Sequence, residues 1–268
     1  MKGHLHLTCG FGDDRQPCLK EQSFRAPFHL SKPHLDAGAL VVNVVNPTAG
    51  LFDGDELDLA VRVECGSHLV LTTPSASRVF RSRSGQAATL RQAFHVEDGA
   101  MLEFLPEPLI PHAGAIYEQN TDLRLAAKGN VLFFEWLAPG RVASGEVFAY
   151  SRIGWSTEVW RGGTLTVRER YQLTPDDHSL VPLQRLYPAA HYLGCFVAGD
   201  FVFPVDAVEA LASPSRYVGW SELTGGGWAI KALCEDALAT RKLMASLRTI
   251  LHEAMGLTIP DVGRCYGR

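Results

Sequence analysis

His4, His6 and Cys9 place two imidazoles and a thiol near the start of the chain. Residues two apart on a strand point to the same face, so His4 and His6, with Cys9 close by, could form a soft site for a transition metal; the alternative is a frayed terminus that binds nothing. Cys65, His68 and His95 are a second candidate set, which gathers around an ion only if the segments carrying them stack. Thr72, Thr73, Ser75, Ser77, Arg78, Arg81, Ser82 and Arg83 crowd hydroxyl and guanidinium groups directly after an apolar run. That pattern fits either a surface loop or a site for an anion or acidic partner. The acidic run Asp53-Gly54-Asp55-Glu56-Leu57-Asp58 lacks the ligand spacing of a calcium loop and reads as a turn entering a strand. His252-Glu253 begins like a zinc helix, but Gly256 stands where the second histidine is needed, which leaves a solvated helix face. Nucleophile elbows, phosphate loops, dinucleotide fingerprints and complete His-Glu-x-x-His motifs are absent.

The elements that must position these side chains are mostly strands. Of 268 residues, 46% are hydrophobic and 20% charged, enough for a sizeable core and incompatible with a disordered chain. The net charge of −4, with Lys and Arg scattered, argues against a nucleic-acid partner. The six cysteines include no Cys-x-x-Cys pair and read as mostly reduced thiols. The opening residues lack the apolar stretch of a secretion signal, and no segment is long and apolar enough to span a membrane, so the expectation is a cytoplasmic protein.

From about Phe24 to Gln172 the sequence alternates with period two, as in Leu57, Leu59, Val61 and Val63. Only Glu235–Met255 has helical spacing, with Gly256 as its stop; one helix or a broken pair is expected. The apolar, proline-interrupted stretch from Tyr187 to Pro214 cannot be assigned from pattern. The region Tyr192–Phe203, or else the C-terminal helix, is expected to leave an exposed apolar patch. Three segments share a plan of glycine turn, apolar strand and proline, starting at Gly66, Gly99 and Gly129. They fit either a meander of hairpins or a stacked solenoid. Laid on one another by their glycines, they put Leu69, Leu71, Leu102, Phe104, Leu132 and Phe134 on one core face. Val70, Thr72, Glu103, Leu105, Phe133 and Glu135 fall on the other, which is also expected to be largely enclosed.

Four strings in order resemble the urease accessory protein UreD (UreH) family: Asn46–Asp55, Leu71–Ser82, Leu102–Pro111 and Pro139–Glu146, with weaker similarity over Lys242–Gly256. This sequence departs from the family where Ala49 replaces a glycine, Arg78 a lysine and His112 an aromatic residue, and in its ending Gly263-Arg264-Cys265-Tyr266. The resemblance implies one domain over residues 1–268, mainly β and β-helix-like, with a repeated portion over about 24–175 and a C-terminal helical element over about 230–256. It implies a non-enzymatic nickel-insertion chaperone that binds apo-urease and the accessory proteins UreF and UreG. A homodimer formed through that accessory complex is compatible with it. Ni²⁺ is then transferred cargo, with no permanently bound cofactor.

A divalent ion crossing a protein interior needs oxygen or nitrogen ligands in place of its water. The candidates for an ion path are Asp55, Glu103, Glu107, Glu135 and Glu146. Thr72, Thr73, Arg78, Arg81 and Arg141 are candidates for the path or for partner contacts, and Arg81 or Arg141 could equally anchor Glu103 and Glu135. Two other readings stay open: a β-solenoid carbohydrate enzyme with Glu103 and Glu135 as acid and base, or a UreD-like scaffold serving another metalloenzyme.

Overall fold

The computed structural model describes residues 1–46, 48–175 and 185–263. In chain order the elements are β1 (Lys2–Phe11), β2 (Pro17–Arg25), β3 (His29–Leu30), β4 (His34–Asp36), β5 (Ala39–Val45), β6 (Glu56–Val63), β7 (His68–Thr72), β8 (Ser77–Val79), β9 (Ala88–Val96) and β10 (Met101–Leu105). There follow β11 (Leu109–Pro111), β12 (Ile116–Leu125), β13 (Asn130–Leu137), β14 (Arg152–Arg161), β15 (Thr164–Leu173), β16 (His191–Ala198), α1 (Val205–Glu209), β17 (Arg216–Glu222), β18 (Trp228–Cys234) and α2 (Ala237–Met255).

The chain is a β-solenoid of about 4 turns. Successive strands alternate between two sheets, so that β6 and β7, β9 and β10, and β12 and β13 form equivalent pairs. One sheet has seven strands, in the order β15-β14-β12-β9-β6-β1-β2, and the other has eleven, running β17-β18-β16-β13-β10-β7-β5-β3 with β4, β8 and β11 beside that path. Strands β1, β6, β9, β12 and β14 are parallel, as are β5, β7, β10 and β13, while antiparallel strands finish each sheet.

Between the sheets Leu5, Leu59, Val61, Phe94 and Leu123 of the seven-stranded sheet meet Val42, Leu69, Leu71, Leu102, Phe104 and Phe133 of the other, all buried. The other side of the seven-stranded sheet faces water, which is why its strands alternate so cleanly. The eleven-stranded sheet is covered on its outer side by α2, whose Leu243, Leu247 and Leu251 pack on Val70, Leu132, Phe134 and Trp136. Each such leucine contributes about 1.5–3 kcal/mol of apolar burial. Strands buried on both faces lose alternation, and β10 and β13 are accordingly buried almost end to end.

That double burial explains why aligning the repeats by their glycines fails in the third copy. Gly66 and Gly99 occupy stacked turns with φ of 72° and 68°, but Gly129 lies one residue past the equivalent turn. The backbone pairs Leu102 with Leu69 but with Val131 rather than Leu132. A slip of one residue turns every side chain to the opposite face, so Phe133 and Glu135 point between the sheets with Leu102 and Phe104, while Leu132 and Phe134 point to α2 with Glu103. Because both faces are apolar, hydrophobicity gave no warning. Both faces are enclosed nonetheless: Glu103 and Phe133 are fully buried, and Leu105 and Glu135 nearly so.

Three further segments take definite form. The first ten residues are not frayed, because β1 lies between β2 and β6. Tyr187–Pro214 contains β16, a central strand between β13 and β18, so Leu193, Cys195, Phe196 and Val197 are core and, of the large apolar side chains in the stretch, Val202 alone is strongly exposed. The C-terminal helix is continuous, capped by the Asp236 carboxylate accepting from Ala239 N–H at 2.7 Å and by Gly256. Its His252 is fully buried rather than solvated, while Glu253 is exposed. Among the described residues no helix is long and apolar enough to cross a membrane. The tail residues 264–268 and Pro47 of the first family-like string lie outside the described residues.

Candidate functional site

Glu135 sits near the end of β13, between the sheets, 3% exposed. Trp155 Nε1 donates to its Oε1 at 3.0 Å and Thr157 Oγ1 donates at 2.6 Å, both from β14. Burial pushes its pKa up to about 7, the two hydrogen bonds offsetting only part of the loss of water; nearby Glu169 adds to the rise and Lys231 opposes it. Its direct partners thus include no cation.

A cavity of about 90 Å³ adjoins Glu135 and extends past Gln92, Tyr117 and Gln119 to Thr73, Ser75 and Glu107. Room for a few waters therefore links three of the candidates, Thr73, Glu107 and Glu135. Its polar wall is a hydrogen-bonded ladder on the inner face of the seven-stranded sheet. Tyr117 OH donates to Gln119 Oε1 at 2.9 Å, Gln119 Nε2 to Gln92 Oε1 at 3.1 Å, and Thr121 Oγ1 to Gln92 Oε1 at 3.0 Å. At the outer end Thr73 Oγ1 accepts from Glu107 N–H at 2.8 Å, and the Glu107 carboxylate pairs with Arg241, which also lies over the Trp136 ring.

A second cavity of about 190 Å³, lined by Tyr171, Tyr192, Glu169 and apolar residues, lies under the β15 end of the sheets. Tyr171 stacks on the Trp155 ring that contacts Glu135. The hydroxyls of Tyr171 and Tyr192 and one oxygen of Glu169 are buried without a hydrogen-bond partner among the described residues. The sequence reading missed Gln92, Gln119, Tyr171 and Tyr192. Gln92 carries a usable signal, since it stands in the inward register of Leu90, Phe94 and Val96, where an amide needs a polar partner.

Glu103 belongs to a different environment. On the outer face of the sheet, beneath α2, it pairs with His68 Nε2 at 2.8 Å and Arg248 Nε at 2.8 Å, and His252 Nε2 stands 3.1 Å away. The His252 approach meets the distance but not the angle of a hydrogen bond, and both its ring nitrogens are buried without a partner. Burial opposes the charged carboxylate, but these three cationic or donor groups outweigh it and hold the Glu103 pKa well below its usual value. Arg248 also donates to Pro260 carbonyl at 2.9 Å, so the cluster clamps α2 and the segment after it onto the sheet. Glu103 and Glu135 thus lie on opposite faces of one sheet and cannot flank a single glycosidic bond. Neither is anchored by Arg81 or Arg141.

The remaining candidates are dispersed. Buried Asp55 accepts from the Met1 ammonium at 2.6 Å and from Phe52 N–H at 2.9 Å, closing the turn before β6. Thr72 ends β7 on the outer face and is buried beside a groove of about 530 Å³ under α2. Arg78 is exposed on β8, and Arg81 and Arg83 are exposed in the segment that follows it. Arg141 forms a two-pronged ion pair with Glu146, which also accepts from Ala113 N–H at 2.9 Å and whose pKa is held down at about 2 mainly by Arg141. His4 and His6 point outward from β1, but Cys9 points into the core, so the three do not form one site. Cys65 contacts Glu97, His68 contacts Glu103, and His95 lies exposed on the other sheet, so that set is not assembled either. Among the described residues no three His, Cys, Asp or Glu side chains are placed to hold a metal ion.

The match to known proteins extends along the same solenoid. The family model described as UreD urease accessory protein matches residues 1–263. A urease accessory protein UreD of Opitutus terrae is 40% identical over 258 residues, 94% of each chain. Those of Deinococcus radiodurans and Dechloromonas aromatica are 34% and 36% identical, covering 85% and 94% of this chain and 82% and 90% of their own. The likeness covers both sheets and α2 rather than the four strings alone, and the chain belongs to the UreD urease accessory protein family.

Proposed function

We propose that this protein is a non-catalytic scaffold of urease maturation, which binds apo-urease and the UreF and UreG accessory proteins and passes Ni²⁺ toward the urease active site in the cytoplasm. The observation that carries the conduit is Glu135, a carboxylate between the sheets with no cationic hydrogen-bond partner, opening on a cavity that leads to Thr73 and Glu107. A carboxylate kept so far from water is costly, and a passing divalent cation supplies the charge it lacks. Glu103 lies on the other face of the sheet, beneath α2 and away from this cavity, and is left off the path. Arg78 on β8 and Arg81 just after it, both exposed, form the partner-facing cationic edge.

The test is reconstituted activation of apo-urease with the UreF and UreG homologues and Glu135→Gln protein. Normal folding and normal capture by UreF with reduced nickel incorporation supports the reading. Full activation by the variant removes the conduit, and failure of the unmodified protein to bind UreF removes the scaffold.

A further inference from the structure

The outward pair His4 and His6 is absorbed by none of the foregoing. Strand β1 is central in its sheet, paired with β2 and β6, so the backbone beneath both rings is fixed on either side. Its pleat turns both imidazoles to the solvent face, with ring centroids 4.9 Å apart. Two imidazoles sharing one ion at metal–nitrogen distances of about 2.1 Å hold their ring centres roughly 5 Å apart, a separation the pair already has.

Each ring is also held from behind. Asp58 Oδ2 lies 2.7 Å from His6 Nε2, and Ser23 Oγ lies 2.9 Å from His4 Nε2. A carboxylate at Nε2 requires the proton there and leaves the Nδ1 lone pair of His6 open. This is the outer-shell arrangement that orients histidine ligands. The serine hydroxyl can donate or accept, so His4 can adopt the matching tautomer.

The surroundings leave room for water ligands. Two open basins, of about 550 and 720 Å³, flank the pair, and Ala60 beside His6 in the sheet adds no bulk. His6 and Asp58 are each about half exposed, and the nearby Lys2 ammonium is paired with Glu56 at 2.9 Å.

We propose that His4 and His6 form a surface site for a single divalent transition-metal ion of the imidazole-preferring class, completed by water and supported by Asp58. Among the described residues no third protein ligand converges on it, so binding is weak and readily exchangeable. The proposal is independent of the maturation scaffold, and its test involves no urease.

The experiment is titration of the full-length, untagged protein with Cu²⁺ alone and with Ni²⁺ alone by calorimetry, with electron paramagnetic resonance of the Cu²⁺ form. The expected result is one exchangeable equivalent showing coupling to two imidazole nitrogens. His4→Ala or His6→Ala should weaken it at least tenfold, and the double variant should lack it. Asp58→Asn should weaken it several-fold when His6 is present and have no effect in the His6→Ala background, which marks Asp58 as a positioning residue. Circular dichroism reports folding of each variant. An unchanged equivalent in the folded double variant, or a Cu²⁺ spectrum without imidazole coupling, overturns the site.

Discussion

Replacing Glu135 by glutamine separates the cost of a buried charge from the value of the hydrogen bonds around it. Glutamine keeps the length of the side chain and an oxygen to accept from Trp155 Nε1 and Thr157 Oγ1, but it cannot ionise. In the folded protein burial raises the Glu135 pKa from 4.5 to about 7. A group whose folded pKa is raised stabilises the fold fully below its unfolded pKa, and that contribution is lost as pH rises through the folded value. Between about pH 4.5 and 7 the native state therefore forfeits about 3 kcal/mol relative to the unfolded chain. Glu135→Gln should be close to neutral at pH 5 and more stable than the parent by up to about 3 kcal/mol at pH 8, or about 5 °C in Tm for a chain of this size. The assay is equilibrium denaturation at both pH values after exhaustive chelation, so that no bound cation stabilises the carboxylate. An equal effect at pH 5 and pH 8, or a loss at pH 8, would falsify the view that Glu135 is an uncompensated buried acid.

Other substitutions probe the remaining clusters. Glu103→Ala strands Arg248, His68 and His252 beneath α2 and should cost about 3–5 kcal/mol in denaturant unfolding. Because the Glu103 pKa is depressed, its stabilising contribution is present above about pH 4.5 and declines as pH falls below that, so the penalty should shrink in acid; a constant penalty would contradict the ion cluster. Asp236→Ala removes the cap of α2 and should cost about 1 kcal/mol, measurable by the same unfolding experiment. Arg78→Ala, at an exposed position of β8, should change stability by no more than about 0.5 kcal/mol while weakening capture by a UreF homologue; a large fall in Tm with capture intact would make the arginine structural.

The sequence by itself determined a strand-rich chain with glycine turns, a C-terminal helical segment ending at Gly256 and the family resemblance that implied a solenoid, while a hairpin meander and a broken helix stayed open. These depend on local signals: alternation in the sheet that faces water on one side, left-handed turns at Gly66 and Gly99, and four ordered strings of residues. It also marked both faces around Glu103 and Glu135 as enclosed. It did not determine which way those two carboxylates point, because β10 and β13 are apolar on both sides and nothing in a uniformly buried run distinguishes one register from its neighbour by a residue. Only the turn between β12 and β13, seated one residue ahead of Gly129, decided that Glu135 lies between the sheets and Glu103 beneath α2. His252 was misread for the same reason. A histidine on a helix looks solvated until a buried carboxylate from a strand 149 positions earlier in the chain, at Glu103, is set against it, and contacts so distant in sequence arise only when the sheet and the helix pack together.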